Sequence, residues 1–281
     1  MAPMDAPAAR PTPGARLTSA LAGRPAGSLP GLIPYVTAGY PGREDTVRLL
    51  AAAQRAGCVA AEVGLPFSDP LADGPTIQRS SQAALANGMS VNLALEQVAQ
   101  ARAAGLTLPL AAMTYVNPVL SYGVGRFCAD AAAAGLDGLI VPDLPEDEAA
   151  EVRDAAHAAG LALVALVAPT TTEARLRSAA AHATGFVYCV SVTGTTGARD
   201  RIADEAFTLL DRVGALTTIP RALGFGLSRH EHLEALRGRS EAAVVGAALI
   251  DAIGRRPEDP GGAVEAFCAA MLGGTPAAAS A

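Results

Sequence analysis

The sequence predicts a single α/β domain, a (β/α)8 TIM barrel with a short extra helix at its N-terminus, and three observations carry that prediction. Eight short β-like runs alternate with Ala/Leu-rich amphipathic stretches, the sequence form of repeated βα units around a parallel sheet. The 281 residues suit one barrel domain. Residues ill-suited to a core, among them Glu62, Asp73, Tyr115, Asn117 and Asp143, fall where runs end and loops begin, the end of a barrel at which catalytic groups gather.

Residues 1–27 are rich in Ala, Pro and Arg and lack the uninterrupted apolar core of a secretory signal. They are expected to be a disordered or partly helical extension, with Leu17 and Leu21 marking a short helix. The barrel is expected over 28–272, followed by a disordered tail, 273–281. Its β-like runs are Leu32–Thr37, Val59–Val63, Leu108–Met113, Gly138–Val141, Ala162–Val167, Phe186–Ser191, Pro220–Gly224 and Ala242–Gly246. Helices are expected at Arg43–Ala56, Val91–Ala104, Gly125–Ala134, Glu146–Ala159, Thr172–Ala183, Asp204–Val213 and Arg229–Arg237. Their starts carry signals: Ser90 precedes one, Asp147 and Glu148 sit in the first turn of another, and Ser228 can cap a third.

Composition excludes several function classes. No apolar run approaches the roughly 20 residues of a membrane span. A net charge of −6, scattered Arg and 4% aromatic residues lack the basic footprint and stacking platforms of a nucleic-acid binder. Cys58, Cys128, Cys189 and Cys268 match no metal or disulfide spacing and are expected to be buried free thiols of a reducing, cytoplasmic compartment. His230 and His232 form a lone His-x-His pair at a helix start, too little for a zinc site, and are expected to be solvated.

The richest stretch is AEVGLPFSDPLADGPTIQ, residues 61–78. Val59, Ala60 and Ala61 read as a strand buried on both faces, where a carboxylate such as Glu62 is costly unless it has a partner or a task. Asp73 lies in the loop that follows, and the two acids together suggest acid/base chemistry.

These residues carry a wider resemblance. LIPYVTAGYP (32–41), EVGLPFSDPLADGPTIQ (62–78), MTYVNPVLSYG (113–123), GLIVPDLPEDE (138–148), YCVSVTGTTGAR (188–199) and GFGLS (224–228) together resemble the tryptophan synthase α subunit family. The resemblance implies the barrel inferred above and cleavage of indole-3-glycerol phosphate to indole and glyceraldehyde 3-phosphate. That retro-aldol step needs one proton delivered to the ring carbon and one taken from the glycerol hydroxyl. The resemblance gives Glu62 and Asp73 the catalytic roles: Glu62, its pKa raised by desolvation, would move the protons, and an ionised Asp73 beside the indole N–H would stabilise positive charge on the ring. All 21 basic residues counted as Lys+Arg are Arg, so a lysine Schiff-base aldolase is excluded.

Phosphate recognition falls to backbone groups. Gly194, Gly197, Gly224, Gly226 and Gly246 follow the sixth, seventh and eighth runs, the usual phosphate region of such barrels. Their N–H groups and a short helix starting near Ala247 can hold a dianion without a basic side chain. The resemblance adds Thr196 as an ordering group of the sixth loop, and Tyr35, Ile77, Met113, Tyr115 and Tyr188 for the indole ring. It also places Pro66, Asp69, Asn117 and Pro145 against a β subunit in an αββα heterotetramer. Pyridoxal phosphate is expected only in that partner; this chain is expected to carry no cofactor and no metal.

Three departures from the family pattern stand out. Gly246-Ala247 replaces Gly-Ser and removes a hydroxyl that would contact phosphate, a loss of ~1.5–3 kcal/mol for a charged hydrogen bond. Ser240-Glu241-Ala242 stands where Asp-Gly is usual, and Arg221 interrupts an apolar strand. Beside the α subunit reading stand a self-sufficient lyase that releases free indole and, from another class, a non-catalytic barrel that activates a β subunit.

Overall fold

The computed structural model describes residues 12–25, 27–191, 202–224 and 226–274. In chain order the elements are α1 (Ala15–Ala22), β1 (Gly31–Thr37), α2 (Thr46–Arg55), β2 (Ala61–Gly64), α3 (Pro75–Ala86), α4 (Val91–Ala103), β3 (Leu110–Met113), α5 (Val116–Tyr122), α6 (Val124–Ala134) and β4 (Gly138–Ile140). A 3₁₀ turn at Glu146–Glu148 precedes α7 (Ala150–Ala158), β5 (Ala162–Leu163), β6 (Ala165–Val167), α8 (Glu173–His182), β7 (Val187–Val190) and α9 (Asp204–Gly214). The chain continues through β8 (Arg221–Gly224), α10 (His230–Ala235), β9 (Ala242–Val245), α11 (Ala247–Gly254) and α12 (Pro260–Met271).

All strand pairs are parallel, in the order β5-β4-β3-β2-β1-β9-β8-β7-β6. The two end strands are halves of one stretch of chain, which closes the sheet. Around Val164, whose N–H still bonds Leu139 O at 2.9 Å, that stretch leaves β4 and takes up β7. The run foreseen at Ala162–Val167 is therefore one barrel strand in two pieces, and the fold is an eight-stranded (β/α)8 barrel.

Two buried layers follow from strand alternation. One lies inside the barrel: Ile33, Ala60, Ala111, Ile140, Ala162, Val164, Phe186, Ala222, Ala242 and Val244. Its many alanines leave room that Leu17 and Leu21 of α1 fill, both fully buried in the same cluster. Arg16 Nη1 reaches Asp137 Oδ1 at 2.9 Å, and Asp137 Oδ2 also takes Arg102 Nη2 at 3.0 Å and Leu110 N–H at 2.8 Å. Thr18 Oγ1 donates to Gly185 O at 2.9 Å, so α1 is tied at both sides to the barrel floor. The other layer lies between sheet and helices and includes Leu32, Val36, Val63, Leu110, Leu139 and Val245.

Several elements differ from the sequence expectation. Helices α3, α5 and α12 were not foreseen; in α3 and α12 the proline is the first helical residue, where its missing N–H costs nothing. Helix α2 starts at Thr46, not Arg43, because Asp45 Oδ2 accepts Gly42 N–H at 2.9 Å and holds 42–45 as a turn. Asp147 and Glu148 lie in the 3₁₀ turn rather than in α7. Ser90 does cap α4, accepting Leu93 N–H at 3.3 Å. Ser228 does not cap α10: Arg229 holds that position, and Ser228 N–H donates to His232 Nδ1 at 3.1 Å. His232 is consequently 3% exposed rather than solvated. His230 is half-buried, its ring bonded to Met271 O at 2.9 Å. The four cysteines are buried free thiols, and no helix among the described residues is long and apolar enough to cross a membrane.

The two departures near the eighth and ninth strands prove to be one feature. Arg221 Nη2 and Nε meet Glu241 Oε1 and Oε2 at 2.8 and 3.1 Å, and Arg221 N–H donates to Glu241 Oε2 at 2.7 Å. Arg221 Nη1 bonds Leu210 O at 3.1 Å, and Ser240 Oγ donates to Arg221 O at 2.9 Å. The guanidinium and carboxylate satisfy each other in a fork, which also raises the Arg221 pKa. Glu241→Ala should cost about 2–3 kcal/mol in thermal denaturation by stranding the guanidinium, and adding Arg221→Met should recover part of that loss.

Candidate functional site

Glu62 is the second residue of β2, flanked in register by Tyr35 on β1 and Ala111 on β3. It is 2% exposed. Burial, and secondarily the charge of Asp73, push its carboxyl up to about 8, so at neutral pH it is mostly protonated. This shift has a thermodynamic sign. Between the ordinary glutamate value of 4.5 and about 8, the folded chain holds a proton that the unfolded chain releases, so stability falls as pH rises through that window. Glu62→Gln removes the penalty: its unfolding free energy should exceed that of the parent by on the order of 2–4 kcal/mol near pH 8 and by little near pH 5, measured by denaturant titration.

Asp73 sits in the turn between β2 and α3. Its N–H donates to Pro70 O at 3.1 Å, and its carbonyl accepts Gln78 Nε2 at 2.9 Å, which locks the turn to the first turn of α3. Burial raises its carboxyl to about 6, opposed by a hydrogen bond from Tyr115. The Tyr115 hydroxyl also accepts Ala72 N–H at 3.1 Å, and its ring lies 5.4 Å from that of Phe67. The two acids thus meet across the mouth, Glu62 on a fixed strand and Asp73 on a loop above it.

Tyrosines wall the space between them. Tyr35, Tyr115 and Tyr188 are buried, and burial with the nearby acids drives each phenol pKa up, keeping it a neutral donor. Tyr35 is held from behind: Thr37 Oγ1 donates to its hydroxyl at 3.3 Å, and Ser80 Oγ, 2.7 Å from Thr37 Oγ1 and 2.8 Å from Ile77 O, shares its one proton between them. The Tyr35 hydroxyl lies against Gly64, and the Tyr188 hydroxyl against Gly224. Met113, at the end of β3, touches both buried layers.

Gly246 joins this space to the N-terminus of α11. A side chain there would come within 3.7 Å of Ile77 Cδ1 and Tyr35 Cβ. Gly246 is also the N-cap of α11, accepting Ile250 N–H at 3.0 Å, and Ala247 is the first helical residue. The free N–H groups of that first turn therefore open near Ile77 and Tyr35. Gly226 adopts φ 76° in the loop after β8. Thr196 and Gly197, with Gly194, lie outside the described residues. Of the residues expected at a partner, Asp69, Asn117 and Pro145 are exposed on the same rim, whereas Pro66 is buried.

The sequence reading passed over four residues here. Gln78 and Ser80 belong to the unforeseen α3, so their inward reach was hidden. Leu71, 93% exposed, had one visible signal, a lone large apolar side chain among Pro, Asp and Ser, whereas Leu120, 54% exposed, follows Val119 and had none. Among the described residues no three His, Cys, Asp or Glu side chains are grouped to hold a metal ion.

A mostly protonated acid within β2, facing a loop acid beside a tyrosine, is suited to proton transfer, and the class is that of a (β/α)8 barrel enzyme. Comparison with known proteins narrows this. A family model described as tryptophan synthase alpha chain matches residues 25–274. The tryptophan synthase alpha chain of Chloroflexus aggregans is 48% identical over 224 residues, 80% of this chain and 84% of that one. Among solved structures, one of the tryptophan synthase α2β2 complex of Pyrococcus furiosus has TM-score 0.82 and 40% identity, covering 86% of this chain and 98% of that one. The alpha chain of Legionella pneumophila has TM-score 0.82 and 32% identity, covering 95% and 99%. The chain belongs to the tryptophan synthase alpha chain family, whose members are lyases.

Proposed function

We infer that this chain is the α subunit of a tryptophan synthase and splits indole-3-glycerol phosphate into indole and glyceraldehyde 3-phosphate in tryptophan biosynthesis. The observation that carries the reading is the pairing of Glu62, raised to about 8, with Asp73, raised only to about 6. Between those values one acid holds its proton while the other is ionised.

The protonated Glu62 delivers its proton to the ring carbon that bears the glycerol chain. Positive charge then spreads to the ring nitrogen, where the Asp73 carboxylate accepts the N–H and stabilises it. As the carbon–carbon bond breaks, its electron pair returns to the ring and the adjacent hydroxyl becomes the aldehyde. The Glu62 carboxylate takes the hydroxyl proton and is thereby reset. Tyr35, Tyr115, Tyr188, Met113 and Ile77 enclose the indole ring. Gly226, Gly246 and Ala247, together with Thr196 and Gly197, serve the phosphate end. Ala247 offers a backbone N–H but no hydroxyl, so phosphate is gripped through the main chain.

The likeness to the Pyrococcus α2β2 complex supports a β subunit seated on the rim formed by Asp69, Asn117 and Pro145. The exposed Leu71 and Leu120 supply apolar area on that rim. Steady-state cleavage by the purified chain, with and without its β subunit, tests the reading. Cleavage that rises when the β subunit is added is expected. No cleavage in either state overturns the lyase assignment, and a rate indifferent to the β subunit overturns the subunit assignment.

A further inference from the structure

We propose that Asp143 is a positioning residue for Asp73, acting through Tyr115 across three consecutive loops of the barrel rim; the proposal rests on the lyase reading above. Asp143 lies in the loop after β4, and its Oδ1 accepts Val116 N–H at 2.9 Å. Val116 is the first residue of α5, and the N-cap of that helix is Tyr115, whose side chain makes no cap hydrogen bond to it. The first N–H groups of a helix have no partner within it, and a short acidic side chain is a preferred supplier. Here the supplier comes from the next loop along the barrel.

That arrangement leaves the Tyr115 side chain free for the preceding loop. Its hydroxyl accepts Ala72 N–H at 3.1 Å and donates to the Asp73 carboxylate. Asp143 therefore pins the backbone from which Tyr115 projects, and Tyr115 fixes both the backbone before Asp73 and its carboxylate. The Asp143 loop is itself anchored from behind. Glu146 Oε1 takes Arg153 Nη1 at 2.7 Å and His182 Nδ1 at 2.8 Å, and Asp147 Oδ2 takes Arg175 Nη2 at 2.9 Å. The fourth loop thus serves as a fixed post for the third, and the third for the second.

The groups facing Asp73 are Glu62 from β2, Tyr35 from β1, Tyr188 from β7 and Tyr115, and the hydrogen bond from Tyr115 opposes the effect of burial on its carboxyl. A donor favours the ionised form, so a displaced Tyr115 lets the Asp73 pKa rise. The acid limb of the rate profile then moves to higher pH.

The experiment measures kcat, KM and the pH profile of kcat/KM for Asp143→Ala, Asp143→Asn, Tyr115→Phe and the double variant combining Asp143→Ala with Tyr115→Phe, each saturated with the β subunit. Asp143→Ala should lower kcat roughly three- to tenfold, the size of a lost helix cap expressed as a rate factor. Its acid limb should move upward while KM stays within about twofold. Asp143→Asn keeps an acceptor for Val116 N–H and should restore both rate and limb. In the Tyr115→Phe background, Asp143→Ala should add little. An Asp143→Ala profile matching wild type, an Asp143→Asn variant as impaired as Asp143→Ala, or additive losses in the double variant each overturn the proposal. Failure of the lyase reading looks different: the wild-type protein with its β subunit does not cleave the substrate, or Asp73→Asn cleaves it at the wild-type rate, and either result overturns this proposal as well.

Discussion

Glu62→Gln and Asp73→Asn should each lower kcat for indole-3-glycerol phosphate cleavage by about 100-fold or more, the range of a lost proton-transfer group. Both substitutions preserve shape, so packing losses are small and KM should change little. The amide of Glu62→Gln can neither deliver a proton to the ring carbon nor take one from the hydroxyl. Asp73→Asn puts a neutral amide where the ring nitrogen develops positive charge. The wild-type profile of kcat/KM should be bell-shaped, with limbs near 6 and near 8, where Asp73 gains and Glu62 loses its proton in the free enzyme. The two variants should differ in stability as well as in rate: Glu62→Gln is the more stable at alkaline pH because a buried ionisable group has been removed. Cleavage above about one tenth of wild type in either variant contradicts the assignment.

What the sequence disclosed follows from which interactions are local. A carboxylate after Val59, Ala60 and Ala61 was conspicuous because a buried strand end tolerates it only for a reason, and the structure leaves it 2% exposed. Strand runs were legible because eight of them are nearly free of polar residues. Ser90 was legible as a cap because its partner is three residues away. Helices α3 and α12 were hidden because a proline that opens a helix looks, out of context, like one that breaks it. The Tyr115 contact with Asp73 was hidden for a different reason: it joins loops 43 residues apart at Ala72, and only the barrel register brings them together. Arg221 and Glu241 looked like separate lapses until adjacent strands set them side by side. His232 went wrong because a two-residue histidine pattern does not say which side of a short helix faces in.

Gly64→Ala should cost the enzyme roughly 5- to 150-fold in kcat/KM, the equivalent of about 1–3 kcal/mol of overpacking. A methyl group there would overlap the Tyr35 hydroxyl and ring. Neither side can yield easily. Gly64 is hydrogen-bonded within β2, between β1 and β3, and the Tyr35 hydroxyl is held through Thr37 and Ser80 to Ile77 of α3. The ring must therefore tilt into the space between Glu62 and Gly246, where the proposed substrate lies. Its displacement also pulls on the first turn of α3, the element to which Asp73 is locked through Gln78. Gly224→Ala meets the same obstacle in Tyr188 on the opposite wall. A smaller side chain should relieve the overlap, so Tyr35→Leu is expected to be worse than wild type alone yet to improve the Gly64→Ala variant. Steady-state kinetics of the two single variants and the double variant measure this directly. If Tyr35→Leu lowers kcat/KM by the same factor in the wild-type and the Gly64→Ala backgrounds, the glycine is not there to seat the tyrosine, and the close approach of strand and ring plays no part in shaping the pocket.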